Sequence, residues 1–289
     1  MFPAAFEYHR PSSVQEAVSL LEQAGGDAKV LAGGHSLLPL LKLRLAEPKA
    51  LIDIGRLPGM TGIQSQDGGL VIGSLTTHAS LASSEAVKQA APLLAEAANV
   101  IGDQQVRNRG TIGGSLAHAD PAGDLPAAIL ALEAEIKAIG PGGERTIAAA
   151  DFFVDMLTSA LGESEILTEV RIPALPSGAG SAYLKMDHPA SHYALCGVAA
   201  IVQFGPDGAV QEVRVAVTGV GPKAYRAKGV EDALRGQSAS EANVEQAAQH
   251  AADGVDALGD IHASTEYRSH LARVFAKRAL NQAIDRARS

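Results

Sequence analysis

Apolar and polar residues alternate with a period that changes along the chain. Within residues 14–21 apolar side chains recur at helical spacing, which predicts an amphipathic helix. Apolar runs at residues 29–32 and 50–54 have the length of buried strands, and an apolar helix through residue 45 is predicted between them. The first 55 residues therefore predict strand, helix, strand, helix and strand, an alternation typical of an α/β layer.

The first helix has recognisable ends. Ser13-Val14-Gln15-Glu16 is a capping box, in which Ser13 and Glu16 would satisfy free N–H groups at the helix start. Gly25-Gly26 predicts its end.

Residues 56–175 predict a mixture of strands and helices around one long loop. Residues 102–121 are too polar and too rich in glycine for a buried element, and an ordered loop of this length is usually functional. The pattern predicts strands at 70–73 and 166–172, helices at 83–90, 92–101 and 125–132, and a hairpin at 135–147 that turns at residues 140–143.

Residues 174–180 have the composition of a linker. A strong hairpin follows at residues 195–204 and 209–218, and then helices, the last from 264 to about 285. We therefore predict a domain at 1–175, with lobes at about 1–55 and 56–175, and a second domain at 178–289.

Charge and composition exclude several classes of protein. A net charge of −8 argues against a nucleic-acid-binding protein, because binding phosphates needs a basic face. An iron–sulfur cluster normally needs four thiolates, and this chain has one cysteine, Cys196. No signal peptide and no apolar run long enough to span a membrane is recognised, so a cytoplasmic location is expected.

Ala32-Gly33-Gly34-His35-Ser36, the first glycine loop, joins a predicted strand to a predicted helix. Glycines allow a close approach of the backbone to a ligand, and free N–H groups at the helix start would face an anion. An ordinary tight turn explains the loop equally well when it is taken alone.

Thr111-Ile112-Gly113-Gly114-Ser115, the second glycine loop, has N–H groups and hydroxyls that could also bind phosphate. A surface loop with a solvated arginine pair is the alternative. Because no Gly-x-x-x-x-Gly-Lys-Ser/Thr run exists, two such loops favour a dinucleotide over a nucleoside triphosphate. Gly219-Val220-Gly221-Pro222 imitates a nicotinamide-binding fingerprint, but Pro222 is incompatible with the helix that should start there.

The two loops, with residues 105–110, resemble the FAD-binding medium subunit of molybdenum hydroxylases, the family of carbon monoxide dehydrogenase and xanthine dehydrogenase. Residues 119–126 and 165–167 match further signatures. The resemblance covers nearly the whole chain. It implies an α+β protein: a two-lobed FAD-binding domain of the vanillyl-alcohol-oxidase type, followed by a small α+β C-terminal domain.

The resemblance also implies a set of FAD-binding residues. The family loop usually ends in asparagine, where this chain has Ser115, and a hydroxyl reaches less far than an amide. Lys185 would otherwise be interpreted as a solvent-facing lysine on a strand, and Tyr193 could stack on the flavin or pack in a core. His35 is expected to fix its loop by a hydrogen bond. The implied cofactor-binding residues are Ala32, Gly33, Gly34, His35, Ser36, Ile101, Thr111, Ile112, Gly113, Gly114, Ser115, Asp124, Leu167, Lys185 and Tyr193.

The function that the resemblance implies is electron transfer. A large subunit with a molybdenum cofactor would hydroxylate the substrate. FAD in this chain would then take the electrons from 2Fe–2S clusters of a small subunit. The three subunits would form a dimer of heterotrimers. Two alternatives stay open. One is a self-sufficient flavin-dependent oxidoreductase with the same type of FAD domain, and the other is a nucleotide-binding or assembly module that has lost flavin.

Overall fold

The computed structural model describes residues 2–289 and shows an α+β protein with three main sheets. The first sheet is parallel, with the strand order β1-β3-β2, and α1 and α2 connect its strands as the apolar pattern predicts. The elements of this lobe are β1 (Glu7–His9), α1 (Val14–Ala24), β2 (Ala28–Leu31), α2 (Leu37–Leu43) and β3 (Ala50–Asp53).

The start of α1 follows the predicted capping box only in part. The Ser13 hydroxyl accepts a hydrogen bond from the backbone N–H of Glu16, as expected. The Glu16 carboxylate instead accepts from the N–H and the hydroxyl of Ser12, at 2.7 Å each. The carboxylate therefore caps the residue before Ser13, because Ser12 offers it two donors. Gly25, with φ 56°, ends the helix.

The second sheet has five antiparallel strands in the order β4-β5-β10-β6-β7, covered by a layer of short helices. Its strands are β4 (Ile63–Gln66), β5 (Gly69–Gly73), β6 (Glu135–Gly140), β7 (Gly143–Ala148) and β10 (Ile166–Ile172), with a separate ribbon of β8 (Phe153–Asp155) and β9 (Thr158–Ser159). Its helices are α3 (His78–Ser83), α4 (Glu85–Ala90), α5 (Pro92–Asn99), α6 (Gln104–Arg109), α7 (Ile112–His118), α8 (Asp124–Ala131) and α9 (Ala149–Phe152).

The prediction of one long loop at residues 102–121 is wrong, because this segment contains α6 and α7. Asp103 caps α6 through its carboxylate, and Thr111 caps α7 through its hydroxyl. Ile112 and Leu116 are fully buried on one side of α7. A side-chain cap on each helix and the buried apolar side of α7 therefore stabilise helices in a segment whose glycine content predicted a loop.

The C-terminal part is an antiparallel sheet in the order β11-β12-β13-β14, with helices packed on it. The long last helix begins after its cap, Ser264, as predicted, and packs across β11 and β12. The elements are β11 (Gly180–Asp187), β12 (Ala194–Phe204), β13 (Val210–Thr218), β14 (Tyr225–Arg226), α10 (Lys228–Leu234), α11 (Glu241–Ala248), a 3₁₀ helix (Gln249–Ala252) and α12 (Thr265–Ala287).

Strand β12 is buried on both faces, which explains its continuous apolar run. Val198 and Ala200 belong to the core beneath α12, whereas Ala199 and Ile201 belong to the core shared with the five-stranded sheet and its helices. Alternate side chains of a strand point to opposite faces. The C-terminal sheet therefore packs tightly against α5 and α8 of the preceding part of the chain.

Candidate functional site

The two glycine loops lie against each other at the mouth of a large cleft. A Cβ atom added to Gly33 would lie 2.1 Å from the carbonyl oxygen of Arg109, so only glycine allows this approach of the two backbones. The cleft has a volume of about 710 Å³, within the range of about 300–1,000 Å³ that is usual for small-molecule sites. We call it the central cleft; residues of both lobes and of the segment 191–193 line it.

The first glycine loop has free backbone donors. Gly34 adopts φ 78°, and the N–H groups of Gly34, His35 and Ser36 make no hydrogen bond within residues 2–289. The Nδ1 atom of His35 lies 3.1 Å from the carbonyl oxygen of Gly33, which agrees with a loop-fixing role. Ser36 makes no capping hydrogen bond, so its hydroxyl is also free of the helix. This loop therefore has the donors that an anionic group requires.

The second glycine loop differs from the sequence-based prediction. The N–H groups of Ile112 and Gly113 donate to the carbonyl oxygens of Thr76 (3.0 Å) and Ser74 (2.8 Å). The N–H of Gly114 donates to the hydroxyl of Thr111 at 3.1 Å. These amides are therefore not free for phosphate, because two of them connect the start of α7 to the segment after β5 and the third donates to its cap, Thr111. A Cβ on Gly114 would meet only Thr111 Oγ1 at 2.8 Å and Ala32 Cβ at 3.9 Å, so Gly114 leaves space between the loops.

Thirteen of the fifteen predicted site residues line the central cleft. The other two, Ile112 and Lys185, do not. The side chain of Ile112 is fully buried in the core, because it forms the apolar side of α7. The thirteen are Ala32, Gly33, Gly34, His35, Ser36, Ile101, Thr111, Gly113, Gly114, Ser115, Asp124, Leu167 and Tyr193.

Asp124, in the cleft wall, forms a buried ion pair with Lys185 behind it. The Nζ atom of Lys185 lies 3.0 Å from Oδ2 of Asp124, and both side chains are 5% exposed. The Tyr183 hydroxyl donates to Oδ1 of Asp124 at 2.7 Å. Burial raises the pKa of Asp124 to about 6, although the Lys185 charge and the Tyr183 hydrogen bond oppose this. The interpretation of Lys185 as a solvent-facing lysine is thus wrong.

Tyr193 lies at the rim of the cleft, next to the first glycine loop and half exposed. Burial against the cleft is the main reason why the pKa of its hydroxyl is raised. The tyrosine follows a turn in which the N–H of His192 donates to the carbonyl oxygen of His188. Tyr193 therefore presents an aromatic side chain to the cleft and is not part of a core.

Two groups stand out among the cleft residues that were not predicted. Residues 157–159 and 161–163, around the β8–β9 ribbon, line the cleft although their sequence contains no recognised motif. Ser74 and His78, in the segment after β5, line it too. His78 is 5% exposed, and its Nδ1 atom is buried without a hydrogen-bond partner. The Ser74-Leu75-Thr76-Thr77-His78 run of polar residues after a buried strand is a signal that could have indicated them.

We expect His78 to make the fold sensitive to acid. Burial, and next the charges of His35 and Arg107, lower the pKa of His78 from 6.5 to about 4. A histidine whose pKa is lower in the folded state stabilises the fold fully above pH 6.5, and the contribution is lost as the pH falls toward 4. A difference of this size corresponds to about 3 kcal/mol of unfolding free energy.

Denaturant unfolding of the FAD-free chain at pH 7 and pH 4 measures this contribution. Between these pH values His78→Leu should lose about 3 kcal/mol less than the wild-type chain. His270→Leu, at an exposed position of α12, controls for the removal of a histidine. An equal loss in the wild-type chain and in His78→Leu would show that His78 is not held neutral by burial.

The central cleft fits a dinucleotide. It combines free amides at one loop with a glycine, Gly114, that leaves space at the other, and most of its exposed lining is apolar. Within residues 2–289 no group of three or more histidine, cysteine, aspartate or glutamate side chains could hold a metal ion. The fold and the cleft therefore define a dinucleotide-binding protein.

Comparisons with known proteins identify the family. Residues 4–175 match the FAD binding domain in molybdopterin dehydrogenase, and residues 181–283 match the CO dehydrogenase flavoprotein C-terminal domain. The chain is 44% identical to the carbon monoxide dehydrogenase medium chain of Hydrogenophaga pseudoflava, over 98% of each chain. It is 40% identical to the 6-hydroxypseudooxynicotine dehydrogenase complex subunit alpha of Paenarthrobacter nicotinovorans, over 100% of this chain and 97% of the relative. A solved structure of the Hydrogenophaga pseudoflava enzyme, in a form that lacks the Mo-pyranopterin moiety, matches with a TM-score of 0.96 and 45% identity, over 99% of each chain.

The chain belongs to the family of FAD-binding medium subunits of molybdenum hydroxylases, the flavoprotein oxidoreductase subunits related to carbon monoxide dehydrogenase. The predicted α+β fold, with a FAD-binding domain followed by a C-terminal domain, is confirmed, and so is FAD as the cofactor. None of the helices within residues 2–289 is both long and apolar enough to cross a membrane.

Proposed function

We propose that this chain carries electrons from 2Fe–2S clusters of a partner subunit to an external acceptor. The observation that supports this most strongly is the pairing of a dinucleotide cleft with a single cysteine. Cys196 is buried, and burial raises the pKa of its thiol to about 12, so it is not a reactive thiolate. Because one cysteine cannot hold an iron–sulfur cluster, the clusters that supply the electrons belong to another subunit in this proposal.

The residues of the cleft have separate proposed roles. The free N–H groups of residues 34–36 bind the pyrophosphate of FAD, and Gly114 leaves space for it. Ser115, in place of the usual asparagine, offers a hydroxyl that reaches less far than an amide. Ile101, Leu167 and Tyr193 form apolar walls. FAD supplies the redox chemistry when bound, accepting single electrons and delivering pairs, while the protein binds and orients it.

The carboxylate of Asp124 is proposed to accept further hydrogen bonds from the cofactor. Each carboxylate oxygen already accepts one hydrogen bond within the protein, and an ionised carboxylate can accept more. We therefore propose that Asp124 accepts hydrogen bonds from sugar or ribityl hydroxyls of FAD. The domain boundaries, 1–175 and 178–289, and the cytoplasmic location stay predictions.

The proposed partners are a small 2Fe–2S subunit and a large subunit with the molybdenum cofactor, in a dimer of heterotrimers. The two named relatives support a division of labour. Their names refer to carbon monoxide and to a nicotine derivative, yet this chain is 44% and 40% identical to them. One conserved type of flavin subunit thus serves different substrates, so the choice of substrate belongs to another subunit.

Affinity purification of this chain from the cells that produce it tests the proposed assembly. We expect two additional polypeptides in equal amounts to the tagged chain, with bound iron, molybdenum and flavin in the same fraction. A tagged chain that elutes alone, and that steadily oxidises a small substrate without them, would support the self-sufficient oxidoreductase instead. A colourless chain that does not take up added FAD would support the assembly module.

A further inference from the structure

Lys185, on β11, uses all its donor capacity on protein acceptors. Its Nζ atom donates to Oδ2 of Asp124 at 3.0 Å, to the carbonyl oxygen of Val100 at 2.8 Å, and to the carbonyl oxygen of His192 at 2.7 Å. A lysine ammonium has three N–H donors. None is left for a ligand, which agrees with the absence of Lys185 from the lining of the central cleft.

Each of the three acceptors belongs to a different wall of the cleft. Val100 precedes Ile101, which lines the cleft at the end of α5. His192 lines the cleft itself and precedes Tyr193. Asp124 lines the cleft at the start of α8. One ammonium group therefore connects three cleft walls that are distant from one another in sequence.

The buried surroundings of the Lys185 ammonium group make the lysine hard to replace. Lys185 and Asp124 are each 5% exposed, and removing one partner of a buried ion pair leaves an uncompensated charge. Tyr183 lies two residues before Lys185 on β11, so its side chain points to the same face and also reaches Asp124. A Cβ on Gly197 would lie 2.3 Å from the Tyr183 hydroxyl, so glycine is required there to admit the tyrosine.

We infer that Lys185 is a positioning residue through which the C-terminal sheet fixes Ile101, Asp124 and Tyr193 around the cofactor. The inference rests on FAD lying in the central cleft, as proposed above. It gives the C-terminal sheet a part in flavin binding, although its strand β11 contributes no residue to the cleft lining. It also replaces the expected contact between Lys185 and FAD by an indirect one.

A second lysine provides a matched control. Lys223 follows β13, and its Nζ atom donates to the carbonyl oxygen of Phe153 at 2.8 Å. This hydrogen bond also connects the C-terminal part to the preceding part of the chain, but neither residue lines the central cleft. Lys223→Met therefore removes a connection of the same kind without releasing a cleft wall.

FAD titration of the apo forms of wild-type chain, Lys185→Met, Lys185→Arg and Lys223→Met tests the inference, with the melting temperature of each apo form measured in parallel. We expect Lys185→Met to bind FAD at least tenfold more weakly than the wild type, and Lys223→Met to bind it within twofold. The visible spectrum of bound flavin should change in Lys185→Met, because Tyr193 and Asp124 shift. Lys185→Arg keeps the charge and should recover part of the affinity.

Several outcomes would overturn the inference. One is an equal FAD affinity of Lys185→Met and Lys223→Met, with unchanged flavin spectra. If Lys185→Met does not fold, Lys185→Arg and Tyr183→Phe are compared instead, and wild-type affinity and spectra in both would have the same consequence. A wild-type chain that fails to bind FAD would contradict the proposed function, which is a separate result.

Discussion

Gly114→Val is expected to weaken FAD binding by at least 100-fold while the fold persists, a loss of about 2.7 kcal/mol in binding free energy. Gly114 lines the central cleft, and the space beside it extends to Ala32 Cβ, 3.9 Å from an added Cβ. A valine side chain would fill this space between the two glycine loops. Within residues 2–289 the only close contact of the added Cβ is Thr111 Oγ1, so the stability cost should be near that of a lost helix cap, about 1 kcal/mol.

FAD titration and denaturant unfolding of the same apo-protein measure the two effects separately. Gly142→Val is the matched control, because an added Cβ meets no atom within 4 Å at this position in the β6–β7 turn. The control should bind FAD like the wild type. Near-native affinity in Gly114→Val would remove the second glycine loop from the cofactor site.

Gly33→Ala should greatly lower the free energy of unfolding, unlike Gly114→Val, and FAD binding should be lost because the fold is destabilised. Its Cβ would lie 2.1 Å from the carbonyl oxygen of Arg109 and 3.0 Å from Cα of Gly110, both backbone atoms that cannot rotate away. The two loops must therefore separate, and we expect a loss of about 3 kcal/mol, at the upper end of typical overpacking costs. No measurable FAD binding should remain at concentrations that saturate the wild type.

The comparison with Gly114→Ala makes this prediction specific. The chemical change is the same, but the atom in the way at Gly114 is a side-chain hydroxyl and not backbone. Unfolding free energies should therefore fall much further for Gly33→Ala than for Gly114→Ala. Equal stability of the two variants would mean that the loops do not meet as described.

Local signals in the sequence predicted much of the fold. The start and end of α1, the β6–β7 and β12–β13 hairpins and the beginning of α12 follow from capping residues, glycines and apolar periodicity. Helices α6 and α7 were missed because both depend on side-chain caps, and α7 depends also on burial of one face against other elements. A helix of six or seven residues is too short for its apolar periodicity to be recognised in the sequence.

The site was predicted less completely, and for a different reason. The first glycine loop has the free amides that its sequence suggests, whereas those of Ile112 and Gly113 are used by carbonyl oxygens of residues 76 and 74. Such contacts join segments almost forty positions apart, and the sequence of neither segment predicts them. The same holds for Lys185, whose three acceptors lie in three separate segments, whereas the polar residues after β5 are a signal that could have indicated His78.

The central claim is that electrons enter this chain from a partner subunit and reach FAD in the central cleft. The most direct measurement is the visible absorbance of flavin after anaerobic addition of the organic substrate, in the purified complex and in the isolated chain. The account predicts rapid, substrate-dependent bleaching in the complex, little bleaching in the isolated chain, and loss of flavin from a complex that carries Gly114→Val. Bleaching of the isolated chain at a rate comparable to that of the complex would contradict it.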